Sequence, residues 1–450
     1  MHKITIMLVA ATVAGTLTLT AGSGSVLTPE DYTDIDSVAV EDVENVSPSY
    51  EANYSLSTYV YADDGLVFPL ESFEDDLDAG NYKKVESNAL EVLERFPGDP
   101  FARYSLSLVY DKQGKHSKAI KAAVGLLVDY PSDATAYSLV DYYAYNNGAD
   151  KVVKEYEKQL LALEKKPGFD KLAAGYGWEM FATLCNAYGF YRKAMQAVNR
   201  ERRFIEYNDD MRMIEQLAYY GIDRPDKSLE LTDACSDETK NYSYWRRNRA
   251  VVLRAAKSPG QAIEYEKAEL EQDSAFYDMA GMLATDLTLA ARYAEALDVL
   301  DRYIYKLEND PDVEVYTILT DSDHLRTSLL PELYLRRGIV KKLSGDETGA
   351  VADFDKVPDA NEAASLYILA QAYLGNRTEA EQRLEESFSG SPSFAASVYN
   401  VLGIKDKALK SLEQAYRRNL WSPLKTMFDI NQRSLVNETG FSKVASRFKP

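Results

Sequence analysis

"YDKQGKHSKAIKAAVGLLVDYP", residues 110–131, sets two amphipathic stretches on either side of Gly114 and closes on Pro131. Gly114 accepts the left-handed conformation that ends a first helix. Ala119, on the second helix, has to be small because the two helices approach most closely there. Pro131 ends the second helix, since a proline cannot be followed back into it. Ahead of the pair, Asp99-Pro100 gives an N-cap and then the residue best tolerated at the first helical position. The pattern recurs: Gly80, Tyr82 and Pro97 precede Gly114, His116 and Pro131 by 34 residues each time.

A fixed period of 34 with this Gly, Ala and Pro pattern resembles the tetratricopeptide repeat. Downstream, "AYGFYRKAMQAV" places Gly189, Tyr191 and Ala194 in register, with Trp178 at the aromatic start of its first helix. Steps of 34 then reach Ser228, Ala262 and Ala296 at the small position. "YLRRGIVKKLSGDETGAVADF" matches the family pattern best, through Tyr334, Gly338, Gly345, Ala350 and Phe354. "YLGNRTEAEQRL" (Gly375, Ala380) and "VLGIKDKALKSLEQAY" (Gly403, Ala408, Ala415) add two more units. Two units rest on spacing alone: one has Asp223 where Gly is expected, and the other starts near residue 66. Extra residues near Pro167–Ala174 and Asp310–Leu330 predict loops or bends. The resemblance implies an all-α fold, a right-handed superhelical solenoid of about ten helix–turn–helix repeats over residues 71–420. Residues 421–450 depart from the period and read as a capping segment, since the last unit of a solenoid otherwise leaves its apolar side in water.

The charge is uneven. Residues 30–78 hold fifteen Asp or Glu and no Lys or Arg, whereas residues 83–450 hold 50 basic and 56 acidic groups. The net charge of −20 argues against nucleic acid as a partner, because phosphate binding needs a basic face. Residues 23–70 read as an acidic flexible linker, with too little apolar surface to offset the entropy of ordering. Residues 54–65, "YSLSTYVYADDG", are the exception, with a composition suited to a short strand or to docking on the body. Residues 1–22 carry a basic start, a short apolar run and small residues, the pattern of a secretory signal peptide. The alternative is an uncleaved N-terminal anchor. No Cys follows the apolar run, which excludes a lipobox, and no later stretch approaches a membrane span. The expected location is secreted or periplasmic, with no integral membrane segment in the mature chain.

Motifs of catalysis are missing: no HExxH, GxSxG or Gly-rich phosphate loop occurs. Two Cys and three His are too few for a multi-ligand zinc site, and no cofactor is implied. His116 takes the usually aromatic turn position and reads as a packing residue. His324 has two Asp neighbours, Asp321 and Asp323, and no second His or Cys nearby. Cys185 and Cys235 fall on interior repeat positions, where Cys acts as a small apolar residue. An oxidising compartment permits a bridge between them, but their repeat positions do not predict facing helices.

The chain therefore reads as a non-enzymatic scaffold of the cell envelope, and the family resemblance implies a protein or peptide ligand in a groove formed by first helices. The alternative is a carbohydrate-binding component of an envelope uptake system, since 33 Tyr could stack on sugar rings. Carried over from the family's groove positions, the candidate ligand-binding residues are Phe101, Tyr104, Leu108, Tyr142, Tyr145, Tyr176 and Glu179, with Asp111, Thr135 and Ser138 on the same stripe. Some of the rings read equally as core, as Tyr137 and Tyr188 do. Export is expected to remove roughly the first 22 residues. N-terminal sequencing of secreted material should begin near Ser23, and material beginning at Met1 would establish the anchor instead.

Overall fold

The structure, a computed structural model, describes residues 75–310, 325–360, 363–388 and 390–449. The signal peptide, the acidic linker with residues 54–65, the start of the unit near residue 66, and His324 lie outside the described residues. Among the described residues no β-strand occurs, and no helix is long and apolar enough to cross a membrane.

Two compact units divide the chain. Unit 1 holds residues 75–185 and 196–207 of the described chain. It contains α1 (Tyr82–Arg95), the pair α2 (Pro100–Lys112) and α3 (His116–Asp129), and the pair α4 (Ala134–Asn147) and α5 (Ala149–Leu163). Two further helices, α6 (Lys171–Ala187) and α7 (Tyr191–Glu201), give residues to both units. Unit 2 continues with α8 (Asp209–Gly221), α9 (Pro225–Asp233) and the single turn α10 (Asp237–Lys240). Next come the pairs α11 (Ser243–Ala256) with α12 (Pro259–Gln272) and α13 (Tyr277–Leu289) with α14 (Tyr293–Asn309). They are followed by α15 (Leu325–Ser344) with α16 (Glu347–Phe354), α17 (Ala364–Leu374) with α18 (Arg377–Phe388), and α19 (Pro392–Val401) with α20 (Lys405–Arg417). Three short elements end the chain: α21 (Pro423–Phe428), a 3-10 turn (Arg433–Asn437) and α22 (Phe441–Ala445).

One local rule builds nearly every pair. The residue between the helices has a positive φ, and the residue five positions later is buried against the first helix. Gly114 with Ala119, Gly189 with Ala194, Gly345 with Ala350, Gly375 with Ala380 and Gly403 with Ala408 all obey it. Two pairs obey it without glycine: Asp223 (φ 58°) precedes buried Ser228, and Ala291 (φ 57°) precedes buried Ala296. An L-residue in that region costs roughly 1–2 kcal/mol, so the fold enforces the turn even where the sequence does not favour it. Ser228 stays satisfied at the crowded position by donating its Oγ proton to the Gln216 carbonyl at 2.9 Å.

The caps share the period. Asp99 Oδ1 accepts from Ala102 N at 2.7 Å, and Asp133 Oδ1 accepts from Ala136 N at 2.7 Å, 34 residues on. Each satisfies one of the orphan donors of a helix start. In unit 1 the core is aromatic, with Phe181 edge-on to Tyr156 at 5.4 Å and to Trp178 at 5.5 Å. Trp178 remains fixed because Nε1 donates to Glu164 Oε1 at 2.8 Å. Unit 2 closes on Trp421, Leu435, Phe441 and Val444, which cover Ala408, Leu412, Ala415 and Tyr416 of α20.

The tightest crossing of α15 and α16 lies at Gly338, where an added Cβ would meet the Phe354 ring at 2.5 Å. Overpacking of this kind costs about 1–3 kcal/mol. Gly338→Ala should therefore lower the thermal midpoint measurably by circular dichroism, and pairing it with Phe354→Leu should recover part of the loss.

Candidate interaction surfaces

In unit 1, α2 and α4 are first helices of consecutive pairs, joined by a buried polar contact. The Tyr143 hydroxyl donates to the Ser107 carbonyl at 3.1 Å and lies 3.0 Å from Ser107 Oγ. Burial drives the Tyr143 phenol well above its ordinary value, so it stays a donor. Tyr142 rests edge-on against this fixed ring, with centroids 5.3 Å apart. Spacings of four and three place Ser138, Tyr142 and Tyr145 on one face of α4, and all three are exposed, Tyr142 by 37% and Tyr145 by 70%. Burial and then the Asp111 carboxylate of α2 raise the Tyr142 phenol. Tyr104, Leu108, Thr135 and Tyr176 are half-buried.

Two of the expected groove residues lie deeper than a groove. Phe101 is 8% exposed and packs on Val85 and Val109, and Glu179 is 1% exposed. Helical spacing gives the face of a residue, and the depth depends on how closely the preceding helix overlaps it; α1 covers the start of α2. His116 moves the other way. It is exposed at the start of α3, with Nδ1 2.9 Å from Asp111 Oδ1, because a carboxylate partner at the end of α2 holds the ring at the surface. Tyr137 is buried and Tyr188 half-buried. Cys185 and Cys235 are both buried free thiols, and burial pushes the Cys235 thiol up to about 11, which keeps it unreactive.

Unit 2 carries charge where unit 1 carries tyrosine. A depression of about 30 Å³ lies between the first helices α11, α13 and α15, with Arg247, Asp278, Glu332 and Arg336 on its walls. Arg336 reaches Glu332 Oε1 at 2.5 Å through Nη2 and Thr285 Oγ1 at 2.5 Å through Nη1, while Arg247 Nε lies 3.8 Å from Asp278 Oδ1. Two guanidiniums face two carboxylates, so the walls are close to neutral. Long side chains on three separate helices meet here, and no run of sequence marks the spot. Among the described residues no group of three or more His, Cys, Asp or Glu is placed to hold a metal ion.

Beneath lies a buried triad. Arg254 Nε is 2.5 Å from Asp286 Oδ1, and Glu266 joins them; all three are at most 3% exposed. Burial, then the adjacent Asp286 carboxylate, pushes Glu266 well above the ordinary carboxylate range.

The fold and its faces define an all-α helical-repeat protein that presents rows of first-helix side chains. No protein-family model matches the chain, and no curated protein matches it. Among solved structures, the P58(IPK) TPR domain is 13% identical, covers 71% of this chain and 98% of that chain, and superposes with a TM-score of 0.20. The Naa15/Naa10 structure bound to HypK-THB is 12% identical, covers 84% of this chain and 79% of that one, and has a TM-score of 0.21. The assignment of the fold rests on the chain's own helix pairs.

Glu266 favours its neutral form in the folded state, so its contribution is present at low pH and is lost as pH rises past its unfolded value of 4.5. Denaturant midpoints of unit 2 should fall from pH 5 to pH 9, and Glu266→Gln should flatten that slope. Asp286→Asn strips Arg254 of its ion pair and should cost about 3–5 kcal/mol at any pH in this range. A slope unchanged by Glu266→Gln would assign the pH dependence to other groups.

Proposed function

We propose that the chain is a non-enzymatic scaffold that binds an extended protein segment along the first-helix face of unit 1. The supporting observation is the exposed pair Tyr142 and Tyr145 on a backing that cannot yield. Tyr142 is braced by Tyr143, and Tyr143 is held by Ser107. Two rings with few side-chain torsions lose little entropy on binding, and each offers an apolar face with a hydroxyl at its edge. The absence of catalytic motifs from the sequence and the near-neutral walls of the charged depression in unit 2 both favour binding over chemistry. The signal-peptide pattern supports a location in the cell envelope or outside it, and the net charge of −20 argues against nucleic acid as the partner.

Tyr145 is 70% exposed and Tyr142 37%, so removing both should shift stability by under about 0.5 kcal/mol. Binding is expected to respond much more, by tenfold or more, as for anchoring aromatics at interfaces. Peptides selected from a random display library on the intact protein should lose that affinity on Tyr142→Ala/Tyr145→Ala while the thermal midpoint holds. Equal affinity for both proteins would remove the surface from consideration. Retained binding to a glycan array with loss on the same variant would instead support the carbohydrate reading.

A further inference from the structure

Residues 419–434 do more than end the chain. They run past helix ends and turns from one end of unit 2 to the other. The Tyr191 hydroxyl donates to the Asn419 carbonyl at 3.1 Å, across 228 residues of sequence. Leu424 N donates to Asp223 Oδ2 at 3.3 Å, in the turn after α8. Arg433 Nη1 donates to the Leu289 carbonyl at 3.1 Å, at the end of α13. Asn431 Oδ1 accepts from the Tyr373 hydroxyl at 2.6 Å, at the end of α17. Gln432 Nε2 donates to the Ser393 carbonyl and to Ser397 Oγ, both at 2.9 Å, on α19.

These contacts fix the curvature of unit 2. The turn at Gly189 and the end of α17 are five helix pairs apart, and helices packed at roughly 10 Å would separate them by roughly 50 Å in a straight stack. The segment between Asn419 and Asn431 includes the six residues of α21 and reaches only about 30 Å. The ends of the first helices therefore converge, and the segment runs along those ends.

Its chemistry is that of a recognised peptide. Ser422, Lys425, Thr426, Asp429, Asn431 and Gln432 are all at most 6% exposed. Apolar contacts hold the segment too, through Trp421 on α20 and through Leu424 and Ile430 against the helix pairs, as Phe441 and Val444 hold α22. Beside them, Asn431, Gln432 and Arg433 bond directly to the helix pairs, while Ser422 and Asp429 cap backbone groups within the segment. Each such bond is worth only about 0.5–1.5 kcal/mol net, because water offers the same partners once the segment leaves. Polar and directional contacts of that kind are typical of interfaces that open.

We propose that unit 2 is a peptide-holding groove whose resident ligand is the chain's own segment 419–434, so that the groove is closed to other peptides until this strap is displaced. The occupant it accepts is defined by the strap: a Ser-Pro helix start capped by Asp223, a Lys one turn on, and an Asn-Gln pair read by Tyr373, Ser393 and Ser397. The proposal is independent of the tyrosine face in unit 1.

The test uses the full chain and a fluorescent peptide of residues 419–436. Asn431→Ala/Gln432→Ala removes the bonds to Tyr373, Ser393 and Ser397 and leaves the apolar anchor of α22 in place. Hydrogen exchange over 419–434 should rise at least tenfold in this variant while α8–α20 stay protected. The peptide should bind the variant at least tenfold more tightly than the intact protein. Loss of protection throughout α8–α20, or a released strap with no peptide binding, would overturn the proposal and leave the strap as a structural brace. A second protein guards against simple misfolding: a protease site placed at Arg418–Asn419 and cut after folding. Exchange of the cut fragment for labelled fragment, with helicity retained, supports the groove; collapse on cutting overturns it.

Discussion

The close crossing of paired helices at a small side chain is the constraint on which the rest of the structure depends. A positive-φ residue reverses the chain, and by its fourth residue the second helix has advanced roughly 4.5 Å along its axis. At that point it meets the first helix, and only Ala, Ser or a similarly compact residue fits. Ala119, Ala194, Ser228, Ala296, Ala380 and Ala408 are all fully buried. The short interaxial distance aligns the larger side chains into faces, and those faces are what the protein can offer to a ligand. The order of causes runs from turn, to crossing, to face.

Much of this was legible in the sequence. Gly114, Ala119 and Pro131 fix a helix pair because each residue type answers one steric demand, and the demands recur with the period. The turns at Asp223 and Ala291 were harder to read, since neither residue favours a positive φ. Their conformation comes from the packing on both sides. Depth was less legible than face: Phe101 and Glu179 share a stripe with Tyr104 and Tyr142, yet neighbouring helices cover them. The meeting of Arg247, Asp278, Glu332 and Arg336 was not legible at all, because it joins three helices spread over some ninety residues.

The two units use buried polarity differently. In unit 1, Ser107 and Tyr143 form a neutral contact whose role is to fix a ring at the surface. In unit 2, Arg254, Asp286 and Glu266 are charged or titratable and fully enclosed. Burying such a group is tolerable only with partners in reach, and for Glu266 burial and the adjacent Asp286 carboxylate favour the neutral acid. A neutral acid supplies a hydrogen bond at the cost of tying stability to pH, a link that the Ser107–Tyr143 contact avoids.

A stack of repeats is held by contacts between neighbours, so its folding is local and its stability is nearly a sum over pairs. The strap breaks that rule. Its bonds to Tyr191, Asp223 and Leu289 span 144 to 228 residues, and they cannot form until the helix pairs between them have stacked and curved. Closing so long a loop costs little more than closing a short one, since each doubling of length adds only about 0.6 kcal/mol. Docking follows the stacking of those pairs, and it joins a modest number of polar bonds to the apolar contact of Trp421 on an already formed surface. A segment that arrives last on a finished surface is also the one that can leave without undoing it. The apolar anchor of α22 on α20 then keeps the freed segment close to its groove.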